Sequence, residues 1–203
     1  VLIVATCLWT ANGAEQEFSR GYDESWAEKL CRGFRRNLTV PHRFVCFVDR
    51  PRSFSEDIEQ EPLSTSTPTY ANFTEPYKLN EAMILVGLDT VVTGNCDRLA
   101  EYCLTEKMIA LPLNPKKPTV SCNGVALVPA GNRATFDEWR GENDMDWVIN
   151  RPHKIIDELF PGWVRSYKGH ILKRGLRDAR IVYFHGNPKP DAIKDHSVKR
   201  HWI

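Results

Sequence analysis

A chain of 203 residues can bury one α/β domain, or one domain with a small lobe, and is too short for several. Its hydrophobic fraction of 42% and charged fraction of 26% exclude a disordered or fibrous chain. With 27 Lys and Arg against 26 Asp and Glu, the net charge of +1 supplies no global attraction to nucleic acid or an acidic membrane.

A mean hydropathy of −0.41 and the lack of a long apolar run leave no candidate for a membrane-spanning helix. The opening run from Val1 to Cys7 is too short and lacks the basic flank of a signal peptide. It reads instead as a strand buried on both faces of a parallel sheet. After a Gly/Asn-bearing loop, Ser25 and Glu28 have capping-box spacing. Trp26, Leu30, Phe34 and Leu38 then recur at helical spacing, with Lys29, Arg32, Arg35 and Arg36 on the other side. Pro41 ends the helix, and Phe44 to Val48 is a second buried strand, completing a βαβ unit.

Residues 50–76 are rich in turn formers and read as a long functional loop. Ala82 to Val92 is apolar almost throughout and reads as the central strand, with Asp89 inside it. Met108–Leu111 and Val125–Val128 read as short strands on either side of a Pro-rich loop at 112–118. Glu142–Asn150 and His153–Phe160 read as short helices, and Ile181–Phe184 as the last strand. The six cysteines are scattered and include no CxxC pair, which predicts buried free thiols, no structural zinc, and a cytoplasmic enzyme.

Several residues could carry chemistry. A carboxylate in an apolar strand needs a partner. Asp89 therefore either caps a turn through Thr90 or neighbouring amides, or coordinates Mg2+ or Mn2+ at a diphosphate beyond the strand end. His185, Gly186 and Lys189 lie in a Gly/Pro loop, either an ordinary turn or a phosphate loop with an imidazole ligand for the same metal. Asp144 and Asp146 open a helix, where the dipole alone favours acidic residues. Asn123-Gly124 is a turn or a ligand contact.

In this order the segments LDTVVTGN, CNGVALV, NDMDWVIN and YFHGNPKP resemble the GT-A nucleotide-sugar glycosyltransferases. The nearest likeness is to the glycogenin-like and lipopolysaccharide galactosyltransferase-like group and its small bacterial and phage relatives. It extends from the first strand to Pro190, with gaps at 50–76 and 112–120. It implies an α/β Rossmann-like single domain over 1–203, with a mixed, mostly parallel sheet flanked by helices. Within it, 1–92 would form the nucleotide half, 93–190 the donor-sugar and acceptor half, and 191–203 a tail.

The resemblance also implies site residues. Asp89 matches the metal-binding second Asp of D-x-D, whose first Asp falls on Gly87. The family's metal His aligns with Tyr183, so either His185, two residues on, substitutes for it or metal binding is weakened or lost. Lys189 matches the diphosphate lysine, Asn123 and Gly124 the donor-sugar segment, and Asp144 the Asp near the reacting side of the sugar. Val4, Ala5, Thr6 and Tyr22 fall where the base is cradled, and Lys78 where a basic residue meets donor or sugar.

The implied reaction is hexosyl transfer from a UDP-sugar or another nucleoside-diphosphate sugar to a hydroxyl, with retention. If it inverts, Asp144 or Asp146 is the base. The acceptor could be a glycan or a hydroxymethylated base of phage-type DNA, the latter gripped by the basic helix face and the Lys194–His201 stretch with Trp202. Two other readings stand beside this one. Gly87 leaves room for a non-catalytic nucleotide-sugar-binding module, and Cys122 or Cys46 for a Cys/His hydrolase.

Overall fold

The computed structural model describes residues 1–11, 17 and 20–203; Asn12 and Gly13 of the expected Gly/Asn loop lie outside the described residues. Among the described residues the central sheet holds β1 (Leu2–Leu8), β2 (His42–Val48), β3 (Glu59–Pro62), β4 (Met83–Val86), β6 (Ile109–Leu111), β9 (Val125–Val128) and β10 (His153–Ile155). Their spatial order is β10–β6–β9–β4–β1–β2–β3. β1 runs parallel to β2 and β4, with Val4 opposite Phe44 and Ile84. Only β9 opposes its neighbours β4 and β6, so the sheet is mixed and mostly parallel, as expected. A smaller sheet orders β11 (Val164–Ser166), β12 (Ile181–Tyr183) and β5 (Val91–Val92), and β7 (Leu113–Asn114) pairs with β8 (Lys117–Ser121).

The run Leu2 to Leu8 is fully apolar except for Thr6 because both of its faces are covered. Leu2, Val4 and Leu8 pack under α1 (Glu24–Asn37) and α2 (Asp97–Thr105). Ile3, Ala5 and Cys7 face a 3-10 segment (Tyr70–Leu79), with α3 (Ala134–Asp137) and α4 (Asp144–Val148) beside it. α1 buries Trp26, Leu30 and Phe34 as its spacing predicts. Truncating the fully buried Phe34 to alanine would cost about 3–5 kcal/mol.

Four expectations need correction. The Ser25/Glu28 capping box does not form. Asp23 caps α1 instead, accepting from the Ser25 amide at 3.0 Å, while Glu28 accepts from the Ser55 amide. Asp23 precedes the first turn, where a carboxylate meets both the free amides and the positive end of the helix.

The run 82–92 is two strands. After β4 the chain turns at Gly87–Thr90, closed by the Thr90 N–H donating to the Gly87 carbonyl at 3.1 Å. β5 then leaves for the smaller sheet, antiparallel to β12. Asp89 consequently sits in the turn and not inside a strand.

His153–Ile155 is an edge strand parallel to β6, and only α5 (Ile156–Leu159) is helical. The strand form lets the His153 imidazole hydrogen-bond the Ser121 hydroxyl at 2.6 Å. The 112–118 loop is largely the β7–β8 hairpin, whose turn is held by the Asn114 side chain accepting from the amides of Lys116 and Lys117.

The basic face of α1 is engaged within the molecule. Arg32 and Arg35 pair with Glu56 at 3.0 and 2.7 Å, Arg36 donates to the His201 carbonyl, and the Lys29 ammonium lies 3.7 Å from the Trp202 ring centre. Trp202 in turn packs on Trp26, and α7 (His196–Lys199) buries Val198, folding the C-terminal residues against the domain. Short α6 (Leu172–Arg174) continues a π-helical turn at Tyr167–Ile171. All six cysteines are free and buried, and no helix among the described residues is long and apolar enough to cross a membrane.

Candidate active site

The ends of β1 and β4, the segment entering β9 and the loop leaving β12 surround a cleft of about 390 Å³. β9 is antiparallel to β4, so its N-terminal end arrives at the same edge as the C-terminal end of β4. This is where open α/β sheets place their ligands.

At one end of the cleft the Lys189 ammonium makes a short hydrogen bond to Oδ2 of Asp89. The Tyr22 hydroxyl donates to the same oxygen at 2.9 Å. Both members of the ion pair are mostly removed from water, with side chains 7% and 14% exposed. Burial, reinforced by the adjacent Asp89 carboxylate, raises the Tyr22 phenol far above its usual range, so it remains a donor. A Cβ at Gly87 would lie 3.0 Å from Asp89 Oδ1, so the missing side chain there leaves the carboxylate room.

At the other end Asp144 begins α4 and is buried against Asn123, whose amide donates to its Oδ2 at 3.0 Å. Burial raises Asp144 to about 6, despite the lowering effect of that hydrogen bond. The Asn123 side-chain oxygen Oδ1 is also buried and has no hydrogen-bond partner among the described residues. An acceptor in that condition is costly unless something else bonds it. Asp146, two residues further along the helix, is exposed and does not line the cleft, because residues two apart do not share a helix face.

His185 lines the cleft and its Nδ1 lies 3.1 Å from the Ser166 hydroxyl. Burial, with Lys116, Lys168 and Lys189 nearby, lowers its pKa and favours the neutral ring. Gly186 follows with a positive φ of 58° that suits glycine. Gly124 also lines the cleft, but its missing side chain serves packing: a Cβ there would lie 2.7 Å from the Tyr183 ring.

Four other expected residues lie elsewhere. Val4, Ala5 and Thr6 are sealed inside β1 with no exposed surface, and Cys7 and Trp9 at the strand end line the cleft in their place. Lys78 is turned away, donating to the Pro62 carbonyl at 2.9 Å and lying 3.6 Å from buried Glu75. Nor do the cysteines offer a nucleophile: burial pushes Cys46 up to about 12 and raises Cys122 as well.

The donor set does not fit the expected divalent metal. Asp89 already carries a cationic partner and a phenol donor on one oxygen. Among the described residues no group of three or more His, Cys, Asp and Glu side chains converges as a hard cation requires.

The sequence reading missed the apolar wall. Trp9 and Tyr70 meet edge to face with centres 6.0 Å apart, and Phe73, Met145 and Phe184 continue the lining. An aromatic residue immediately past the end of the first buried strand was the available signal for Trp9.

No protein-family model and no curated protein matches the chain. Among solved structures it is similar to the glycosyltransferase GlyE of Streptococcus pneumoniae TIGR4, at 14% identity and a TM-score of 0.60. The match covers 93% of this chain and 55% of that one, so the present chain spans about half the length of its structural neighbour. The fold is therefore similar to that of a known glycosyltransferase, with the mixed, mostly parallel α/β sheet expected from the sequence.

Proposed function

We propose that the cleft binds a nucleoside-diphosphate sugar, a UDP-sugar in the first instance, and transfers its hexosyl group to a hydroxyl with retention of configuration. The observation that carries this reading is the position of the Lys189–Asp89 pair, between an aromatic wall and the buried Asn123–Asp144 pair. The wall offers Trp9 and Tyr70 for stacking a base. The ammonium of Lys189 suits the diphosphate. The unsatisfied Asn123 oxygen and the Asp144 carboxylate are acceptors for sugar hydroxyls.

In the transfer, the bond from the anomeric carbon to the diphosphate oxygen breaks and its electron pair leaves on that oxygen. The acceptor oxygen bonds to the anomeric carbon, and its proton passes to the departing phosphate. Lys189 lowers the barrier by meeting charge that grows on the leaving group. The water-poor floor strengthens that interaction.

The raised pKa of Asp144 favours a second reading, inversion with Asp144 as general base, because a base works best with a pKa near the ambient pH. Asp146 has no place in either reading, being outside the cleft. The engagement of Arg32, Arg35 and Arg36 favours a saccharide hydroxyl over a hydroxymethylated DNA base as acceptor.

A thermal-shift screen of UDP-, GDP- and CDP-sugars, with and without Mn2+, tests donor binding, since a ligand of the native state must raise the melting temperature. One nucleotide-sugar class should do so. If none does at millimolar concentration, the reading fails.

A further inference from the structure

Two more ammonium groups are carried by elements that adjoin the cleft, the π-helical turn and the β7–β8 hairpin. Lys168 lies on the π-helical turn, a feature frequent at functional sites. A Cβ at Gly186 would lie 3.3 Å from Lys168 Nζ, which places that charge on the loop lining the cleft. Lys116 lies at the tip of the β7–β8 hairpin.

The hairpin and the π-helical turn are locked together, because Gly169 packs so closely on Pro115 that no side chain fits between them. Ser166 ties both to the cleft: its hydroxyl accepts from the Gly169 amide at 3.1 Å and meets the His185 imidazole at 3.1 Å. Lys116, Lys168 and Lys189 all bear on His185 electrostatically. Among the described residues, the Lys116 and Lys168 ammoniums form no ion pair or hydrogen bond.

From this juxtaposition we infer that Lys116, Lys168 and Lys189, and not a divalent cation, balance the charge of the donor's diphosphate. The inference rests on the glycosyl-transfer reading and adds a metal-independent site with two further donor-binding residues. Ammonium groups on three neighbouring elements suit the negative charge of a diphosphate. Asp89 fixes Lys189 in place. Lysine is suited to this task as a mobile point charge with three donors.

Calorimetric titration of UDP, with GDP and CDP as comparison ligands, into the full chain in EDTA and then in Mn2+ tests the inference. At least one nucleotide should bind in EDTA with an affinity within about threefold of that in Mn2+. Lys168→Gln and Lys116→Gln should each weaken that binding by about tenfold, as expected for loss of a partly solvated charge-assisted contact. Lys168→Arg and Lys116→Arg should retain most of it, and unliganded melting temperatures should confirm that every variant folds. Binding seen only with Mn2+, or unaffected by both glutamine variants, overturns the lysine site and leaves the transferase reading intact. No binding of any nucleotide under either condition overturns both.

Discussion

Lys189 and Asp89 stand 100 residues apart in the chain and share a hydrogen bond at the floor of one cleft. The contact joins the turn after β4 to the loop after β12, and therefore the central sheet to the smaller one. Removing one partner leaves a mostly buried charge without its counterion. Lys189→Met should destabilise the fold by about 2–4 kcal/mol in urea melts. The double variant Lys189→Met/Asp89→Leu should recover most of that stability while remaining unable to bind the donor. If the single variant binds a nucleotide sugar as the native chain does, Lys189 has no role in the site.

Asp144 ties stability to pH. Its folded-state pKa of about 6 lies above the ordinary 3.8, so between these values the folded chain holds a proton that the unfolded chain has released. Stability from this group is therefore greatest at low pH and falls as pH rises through the window, by roughly 3 kcal/mol in all. Asp144→Asn should abolish that part of the pH dependence and raise the melting temperature at pH 8, while depressing transfer. A melt at pH 8 no more stable than that of the native chain would show that burial does not strain this carboxylate.

Two glycines in the cleft should respond differently to alanine. At Gly124 the new methyl group would strike the Tyr183 ring, so Gly124→Ala should cost about 1–3 kcal/mol in denaturant melts. At Gly87 the methyl group would meet only the tip of the Asp89 side chain at 3.0 Å, so Gly87→Ala should change stability little and weaken donor binding. The reverse pattern would contradict the packing described here.

The aromatic wall predicts base stacking. Trp9→Ala and Tyr70→Ala should each weaken binding of a nucleoside diphosphate by about tenfold, with little effect on inorganic pyrophosphate, which has no base. Equal losses for both ligands would place the base elsewhere.

The sequence made the first βαβ unit legible because its strands are buried on both faces and α1 on one, which leaves clear patterns in Leu2–Leu8, Trp26, Leu30 and Phe34. It hid the break at Gly87 because both flanking strands are apolar, and periodicity does not register a turn inside a continuous apolar run. It hid β10 because three residues carry too little pattern to separate an edge strand from a helix start. Within the site, Asp89, Lys189, Asn123, Asp144, Tyr22, His185 and Gly186 all reach the cleft. The resemblance pointed to Val4–Thr6 as lining the site, but these are sealed inside β1 and the strand reaches the cleft only at Cys7, with Trp9 just beyond. Lys78 was misplaced because one basic residue in sequence gives no direction for its side chain, which here turns to Pro62.

The most direct test of the central claim is turnover. The native chain and Lys189→Ala, each verified as folded, would be incubated with the nucleotide sugar selected by thermal shift and panels of saccharide acceptors. Release of nucleoside diphosphate and the mass of any glycosylated product would be followed by mass spectrometry. The account predicts release by the native chain and at least a hundredfold less by the variant, about the effect of deleting one charge-stabilising group from an active site. Equal release by the two proteins, or none by the native chain while it binds the donor tightly, would contradict it.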